Sequence, residues 1–208
     1  MNRGRFITVE GVEGAGKSTC IGTIRDTLTG AGKQVIVTRE PGGTALSEQI
    51  RSLLLAHRQE GVAVETETLL MFAARAEHLA RVIRPALAAG QWVLSDRFTE
   101  ASYAYQGGGR GLPRQRIEIL EQWLQGDLRP DLVLLLDIPV RVGLERAAQR
   151  SARDRFESED VAFFERVRAD YLDQAHRHPQ RFRIIDASRE LAAVQHQIRQ
   201  AVDELLSC

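Results

Sequence analysis

One short stretch near the start of the chain limits the folds that it can adopt. The sequence GVEGAGKS, residues 11–18, fits the pattern GxxxxGK[ST] and directly follows the apolar run Phe6–Val9. Glycines in such a loop let backbone N–H groups approach an anion closely, and the helix that follows directs its positive end at the same point. The stretch therefore predicts a strand, a phosphate-binding loop and a helix that together hold a nucleoside triphosphate with Mg²⁺.

The polar side chains of this loop have distinct predicted roles. Lys17 is expected to reach the β- and γ-phosphate oxygens, and Ser18 to offer its hydroxyl to Mg²⁺. Lys17 and Lys33 are the two lysines of the chain, and its other basic residues are arginine. The residues predicted to bind ATP are Gly11, Val12, Glu13, Gly14, Ala15, Gly16, Lys17, Ser18 and Thr19.

Apolar runs alternate with helical patterns along the whole chain. Such runs are typical of buried parallel strands, and here they are Phe6–Val9, Val35–Thr38, Trp92–Asp96, Leu132–Asp137 and Phe182–Asp186. The alternation predicts an α/β protein with a P-loop NTPase fold, a five-stranded parallel β-sheet flanked by α-helices. Apolar residues at helical spacing over 69–83 predict a helix whose apolar face covers that sheet. Without an internal repeat or a long linker, one domain is expected over 1–208, with an Arg-rich lid at approximately 146–158.

Composition excludes several classes of partner. Acidic and basic residues both number 28, so the net charge is zero and does not favour nucleic acid or a membrane surface. No apolar run approaches the roughly 20 residues of a membrane span, and the first residues lead into a strand rather than a signal peptide. Cys20 and Cys208 lack paired spacing, which favours a reducing compartment. A cytoplasmic protein is predicted.

Polar side chains follow the strands at the edge where parallel sheets bind ligands. Asp96 and Asp137 each end a strand and are candidates for holding Mg²⁺, directly or through water. Asp96 is preferred because Arg97 beside it is suited to a second anion. Arg39, Arg51 and Arg97 are predicted to bind a second phosphate, since arginine binds phosphate with two parallel hydrogen bonds.

The segment Tyr103–Gly111 combines aromatic and amide groups with a triple glycine. Glycine-rich loops alone are also common as mobile connections. The neighbouring Tyr105 and Gln106 favour a small-molecule pocket.

A second segment, 146–155, is rich in arginine and poor in apolar residues, with Arg146, Arg150, Arg153 and Arg155. This pattern is typical of a flap that closes over phosphates, although a solvated helix has the same composition. An arginine delivered to a phosphoryl group in transfer contributes ~10³–10⁵ in rate.

The motifs GVEGAGKST, TREPGGT, FAARAEHL, DRF with SYAYQGGGRG, and RPDLVLLLD, in this order, resemble bacterial thymidylate kinases over nearly the whole chain. The resemblance implies transfer of the γ-phosphate of ATP to dTMP, giving dTDP and ADP. It further implies a requirement for Mg²⁺, a five-stranded parallel sheet and a homodimer. ATP and dTMP are thus the expected substrates, with neither nucleic acid nor membrane as a partner.

The resemblance also implies roles for single residues. Glu13 faces the 3′ hydroxyl of deoxyribose, Arg75 donates to a thymine carbonyl, and Tyr105 crowds the 2′ position of the sugar. In many members a Phe four residues before that Arg stacks on thymine, whereas here Met71 holds that place and Phe72 follows it. The residues implied to bind dTMP are Glu13, Arg39, Arg51, Phe72, Arg75, Arg97, Ser102, Tyr105 and Gln106.

Members of the family carry a catalytic arginine either in the phosphate loop or in the lid. Here Val12, Glu13 and Ala15 supply no cation, which fits the lid type. Arg150 matches the transition-state contact best, with Arg153 and Arg155 as alternatives. The predicted catalytic residues are thus Lys17, Arg97 and Arg150, and the predicted metal ligands are Ser18 and Asp96.

Two other functions fit parts of the same pattern. One is a P-loop kinase that phosphorylates a different small molecule. The other is an ATP-dependent switch module that binds the nucleotide without phosphorylating a metabolite. A second anion site and an Arg-rich flap are features that a switch does not require.

Overall fold

The computed structural model describes residues 3–149 and 155–207. Its five strands form one fully parallel sheet in the order β2-β3-β1-β4-β5. The strands are β1 (Phe6–Glu10), β2 (Val35–Arg39), β3 (Trp92–Asp96), β4 (Leu132–Asp137) and β5 (Phe182–Asp186). All five predicted strands are confirmed, and the first two extend one residue further than predicted.

Helices cover both faces of the sheet. They are α1 (Lys17–Gly30), α2 (Ala45–Leu55), α3 (Val64–His78), α4 (Arg84–Ala88), α5 (Thr99–Ser102), α6 (Arg114–Gln125), α7 (Val140–Ala148), α8 (Val161–Arg177) and α9 (Leu191–Leu206). Two π-helical segments, Leu79–Ile83 and Tyr103–Gly109, continue α3 and α5. Within the described residues, no helix has the length and apolar character that a membrane span needs.

The central strand β1 divides the core between the two faces of the sheet. Ile7 and Val9 belong to a cluster that includes residues of α1, α8 and α9. Phe6 belongs to a second cluster on the other side, where its ring meets Phe98 edge-on with centroids 4.9 Å apart. Burial on both faces explains why three of the four residues before Glu10 in this strand are apolar, Thr8 being the exception.

The predicted apolar face over residues 69–83 is wrong in part. Leu69, at 57% exposure, points to solvent, and Ala73 is also exposed. The residues of α3 that are buried include the polar Glu67, Thr68, Arg75 and His78. Several of these polar side chains pair with buried polar groups of other elements, as Glu67 does with Gln106 and His78 with Glu40. Apolar spacing alone therefore predicted the buried face of this helix incorrectly.

The carboxyl ends of β1, β2 and β3 bring the predicted site residues together. In the strand register Asp96 pairs with Arg39 on one side and with Val9 on the other. The phosphate loop leaves β1 at the same edge and enters α1 at Lys17. The site is therefore at the carboxyl edge of the sheet, where ligands bind in open α/β folds.

Candidate active site

A cavity of about 310 Å³ opens at this edge. Its volume lies at the lower end of the ~300–1,000 Å³ range of small-molecule sites. Most of the predicted site residues outside the loop backbone line it, namely Glu13, Lys17, Ser18, Arg39, Arg51, Arg75, Asp96, Arg97, Ser102, Tyr105 and Gln106. One cavity thus joins the phosphate loop to the side chains implied to hold the acceptor.

The phosphate loop is held in shape by backbone contact. Gly14 has φ 72°, and a Cβ at this position would lie 1.8 Å from the carbonyl oxygen of Gly143 in α7. Lys17 Nζ donates to the carbonyl oxygens of Gly11 at 3.2 Å and Val12 at 3.1 Å. Burial and the nearby guanidinium of Arg97 lower the pKa of Lys17. A bound anion in the loop would favour the charged ammonium and so raise the pKa of Lys17 again.

Arg97 is the centre of a polar network beside the loop. Among the described residues it is the only non-glycine with positive φ, at 69°, a conformation that costs free energy unless its surroundings enforce it. Its Nη2 donates to Glu13 Oε1 at 2.5 Å and to Tyr105 Oη at 2.9 Å, and its Nη1 donates to Tyr171 Oη at 3.1 Å. These three contacts fix the direction of the guanidinium.

The carboxyl group of Glu13 lies near two positive charges, those of Lys17 and Arg97. Burial opposes its ionisation, but Lys17 and Arg97 outweigh burial and lower the pKa of Glu13 to about 2. Tyr105 Oη also donates to Glu13 at 3.0 Å. Glu13 is therefore a carboxylate at physiological pH, and its side chain links the phosphate loop to Arg97 and Tyr105.

Asp96 has the features of a ligand for a hard cation. Its Oδ1 is buried and has no hydrogen-bond partner among the described residues, and it lines the cavity together with Ser18. Asp137 is different, because Arg168 holds both of its oxygens at 2.6 and 2.9 Å. No cluster of three or more metal-ligating side chains is found within 3–149 and 155–207.

Arg39 and Arg51 are the two arginines implied to bind the acceptor phosphate together with Arg97. Arg39 is half-exposed and pairs with Glu48 at 2.8 Å. Arg51 Nη1 donates to the carbonyl oxygen of Pro41 at 3.0 Å. Both side chains line the cavity.

Arg75 also lines the cavity, although its side chain is almost fully buried. Its Nε donates to Glu40 Oε2 at 2.7 Å, and its Nη2 donates to Phe98 O and Ser102 Oγ, both at 3.1 Å. Its Nη1 is also buried and has no partner within the described part of the chain. The guanidinium therefore keeps one N–H₂ group for a ligand.

Glu40 is absent from the predicted site residues although it fixes this arginine. Its Oε1 lies 2.9 Å from His78 Nδ1, and His78 Nε2 lies 2.6 Å from Thr38 Oγ1. The chain Thr38–His78–Glu40–Arg75 thus joins the end of β2 to α3. The signal in the sequence was an acidic residue directly after a strand, within the motif TREPGGT.

The structure separates Met71 from Phe72. Phe72 is 2% exposed and packs with Tyr103, Leu112 and Ile117, away from the lining of the cavity. Its ring supports Arg75 from behind, with the guanidinium 4.6 Å from the centroid. Met71 lines the cavity. Met71 is thus the side chain that faces the cavity, and Phe72 packs against Arg75 outside the cavity lining.

The triple glycine lets its segment pack closely against α8. A Cβ on Gly108 would lie 2.8 Å from Asp170 Cβ, and one on Gly109 would lie 2.5 Å from Phe163 Cε2. The absence of side chains lets the π-helical segment approach α8 closely. The same segment carries Tyr105 and Gln106 into the cavity lining.

The Arg-rich segment is described only in part. Arg150 and Arg153 lie outside the described residues, so their predicted roles stay predictions. Arg155 Nε donates to Leu54 O at 2.9 Å, and its Nη1 lies 2.7 Å from Glu67 Oε2. Arg155 is not among the residues that line the cavity, whereas its neighbours Phe156 and Glu157 are.

Comparison with known proteins gives a consistent family. A sequence profile described as thymidylate kinase matches residues 9–198. A thymidylate kinase of Pseudomonas syringae pathovar tomato is 59% identical over 203 residues, which cover 98% of this chain and 97% of that protein. One from Nitrosomonas europaea is 55% identical over 207 residues, which cover 100% of this chain and 96% of that protein.

A solved structure agrees with these sequences. The crystal structure of thymidylate kinase from Ehrlichia chaffeensis is 30% identical and superposes with a TM-score of 0.76, covering 98% of this chain and 99% of that one. The predicted P-loop NTPase fold and the resemblance stated from the motifs are both confirmed. The chain therefore belongs to the thymidylate kinase family.

Proposed function

We propose that this chain is a dTMP kinase, which transfers the γ-phosphate of ATP to dTMP and gives dTDP and ADP. The observation that supports it best is a single cavity that is lined both by side chains of the phosphate loop and by the buried Arg75. Membership of the thymidylate kinase family supports the same activity.

The acceptor is proposed to lie along the cavity from Arg97 to Arg75. Arg97, Arg39 and Arg51 bind its phosphate, because they are the guanidinium groups next to the loop that line the cavity. Glu13 accepts from the 3′ hydroxyl, and the Tyr105 ring, held by Arg97 and Glu13, crowds the 2′ position of the sugar.

The base is proposed to lie against Arg75 and Met71. The unpartnered Nη1 of Arg75 donates to a carbonyl of thymine, and Ser102 keeps the guanidinium in place. Gln106 supplies a second polar contact to the edge of the base. Met71 packs on its face in place of the phenylalanine found in many members of the family.

Mg²⁺ is proposed as the metal, held by Ser18 and Asp96. It would neutralise charge on the ATP phosphates. Asp96 and Ser18 both line the cavity, and the buried Oδ1 of Asp96 has no hydrogen-bond partner among the described residues. The backbone and side chains of residues 11–19 are proposed to hold the donor nucleotide.

Catalysis is proposed to rest on positioning and charge neutralisation. An acceptor phosphate is already ionised at neutral pH, so the chain needs no strong general base. Lys17 and Arg97 bring two polyanions into line, and Arg150 is proposed to contact the phosphoryl group in transfer. Replacing Arg150 with Ala should lower kcat by ~10³ or more; a change of only a few-fold would remove Arg150 from that role.

A homodimer is proposed from the exposed apolar surface. The packed helices α2, α3 and α6 carry exposed Leu46, Leu53, Leu69, Ile119 and Trp123. A patch of this kind marks an interaction site. Trp123→Asp should give a monomer in sedimentation velocity, whereas Ile184→Asp on the opposite edge strand should leave the dimer intact.

A single domain over 1–208 and a cytoplasmic location are also proposed, the latter supported by Cys20, which is buried and free.

Acceptor profiling tests the proposed activity. ADP release is measured with ATP and Mg²⁺ and with dTMP, dUMP, dCMP, dAMP, UMP or thymidine as the sole acceptor. Strong turnover with dTMP and little with UMP is expected. Turnover with another acceptor would keep a P-loop kinase but reject this base pocket, and no turnover with any acceptor would favour a switch module.

A further inference from the structure

Glu67 is a fully buried carboxylate that contacts Gln106 from behind the cavity lining, and the proposed function gives it no role. Its Oε1 accepts from Gln106 Nε2 at 2.8 Å and from Arg110 Nε at 3.4 Å. Its Oε2 lies 2.7 Å from Arg155 Nη1, an ion pair without the alignment of a hydrogen bond. Two guanidinium groups therefore compensate the buried charge, and a neutral amide takes the remaining place.

The contact with Gln106 fixes the direction of its carboxamide. An ionised carboxylate only accepts hydrogen bonds, so the amide nitrogen must face Glu67. Gln106 is 1% exposed and lines the cavity, so the oxygen is the amide atom left for a ligand. At this point the cavity presents an acceptor and not a donor.

Arg75 supplies the opposite group. Arg75 lines the same cavity, and its buried Nη1 is a donor without a hydrogen-bond partner among the residues described. A donor beside an acceptor matches a base edge that carries a carbonyl oxygen next to a ring N–H, as in thymine and uracil. Cytosine presents an amino donor and a ring-nitrogen acceptor at the same places. Its donor would therefore face the donor of Arg75, and its acceptor would face the oxygen of Gln106.

We propose that Glu67 is a specificity-determining positioning residue, which selects a 4-oxo pyrimidine over a 4-amino pyrimidine by holding the Gln106 carboxamide in one orientation. It acts through Gln106 and does not touch the substrate. This inference rests on the proposed dTMP kinase function and adds to it the residue that sets the polarity of the base site.

Glu67→Gln tests the proposal with minimal change of shape. A glutamine at this position both donates and accepts, so Gln106 can turn its nitrogen toward the base. The ratio of kcat/KM for dTMP to that for dCMP should fall at least about tenfold, the equivalent of one hydrogen bond. The KM for ATP should change little, because the phosphate loop is untouched.

Two further variants separate positioning from simple loss of structure. Arg110→Met removes one guanidinium from Glu67 but leaves its carboxylate for Gln106, so selectivity should stay as in the wild type even if the protein becomes less stable. Gln106→Leu should lower the dTMP preference by itself, and adding Glu67→Gln to it should lower the preference no further. Additive losses in the double variant would overturn the proposal.

Measuring the binding of each nucleotide directly tests the selectivity even if the protein does not phosphorylate it. Calorimetric titration of wild type and Glu67→Gln with dTMP and with dCMP should show the same loss of selectivity as the kinetics. If neither nucleotide is phosphorylated but selectivity in binding is lost on substitution, the proposed function fails and the inference stands. If dTMP is phosphorylated and Glu67→Gln keeps the wild-type selectivity, the inference fails alone. A wild type that binds both nucleotides equally also overturns it.

Discussion

The two ends of the cavity are built in different ways. At the phosphate end, residues 11–18 are neighbours in the chain, and recognition comes from a backbone shape and one lysine. At the end proposed to hold the base, here called the base end, Arg75 and Gln106 pair with buried carboxylates that lie 35 and 39 residues away in sequence. A local motif is thus enough for an anion, whereas reading the edge of a base needs fixed donors and acceptors from several elements.

The largest expected effect tests the phosphate end. Lys17→Met should lower kcat by about 10²–10³ or more, the scale of removing one preorganised group that stabilises a transition state. Lys33→Met is the matched control, since Lys33 lies over the Trp92 ring with Nζ 5.7 Å from its centroid. Steady-state ADP release compares the two. Equal effects of both substitutions would contradict a special role for Lys17.

Next in size is a change at the base end. Glu40→Gln should lower the free energy of unfolding by about 3 kcal/mol, because the buried Arg75 loses its ion pair. The KM for dTMP should rise while the KM for ATP stays the same.

Glu48→Gln is the control for this change, since its pair with Arg39 is exposed and worth about 0–1 kcal/mol. Denaturant unfolding and acceptor kinetics measure both effects. If the two variants lost equal stability, the base end would not depend on a buried pair.

A smaller effect concerns Glu10, the buried carboxyl at the end of β1 behind the phosphate loop. Burial and the neighbouring Glu100 raise its pKa from 4.5 to about 8. A carboxyl that binds its proton more tightly in the folded state makes stability fall as pH rises from 4.5 toward 8. The loss should be on the order of 2 kcal/mol between pH 5.5 and 7.5.

Glu10→Gln removes this titration while keeping an acceptor for the backbone N–H of Phe98. Its unfolding free energy should therefore change less over the same pH range than that of the wild type. Parallel pH curves for the two proteins would argue against a raised pKa for Glu10.

The smallest expected effect is a loss of stability on substitution in the glycine-rich segment. Gly109→Ala would place a Cβ 2.5 Å from the buried Phe163 ring and should cost about 1–2 kcal/mol of stability by overpacking. Gly107→Ala is the control, because its Cβ would meet no atom closer than 3.4 Å. Thermal unfolding distinguishes them. A mobile loop at 107–109 would tolerate both changes equally.

The sequence was sufficient where structure depends on neighbouring residues. The strands and the loop at 11–18 follow from apolar runs and glycine spacing, and both could be predicted. The buried face of α3 could not, because apolar spacing assumes an apolar environment and Glu67 and His78 face a polar one. The pairing of Glu40 with Arg75 was equally out of reach, since nothing local links two residues 35 positions apart.

The contact of the phosphate loop with α7 has a consequence for mutational tolerance. A Cβ at Gly14 would collide with the carbonyl of Gly143, and a Cβ at Gly143 would lie 2.5 Å from the carbonyl of Glu13. Neither position can gain a methyl group before the other backbone moves away. Position 143, more than a hundred residues outside the loop motif, should therefore be almost as intolerant of substitution as a residue within it.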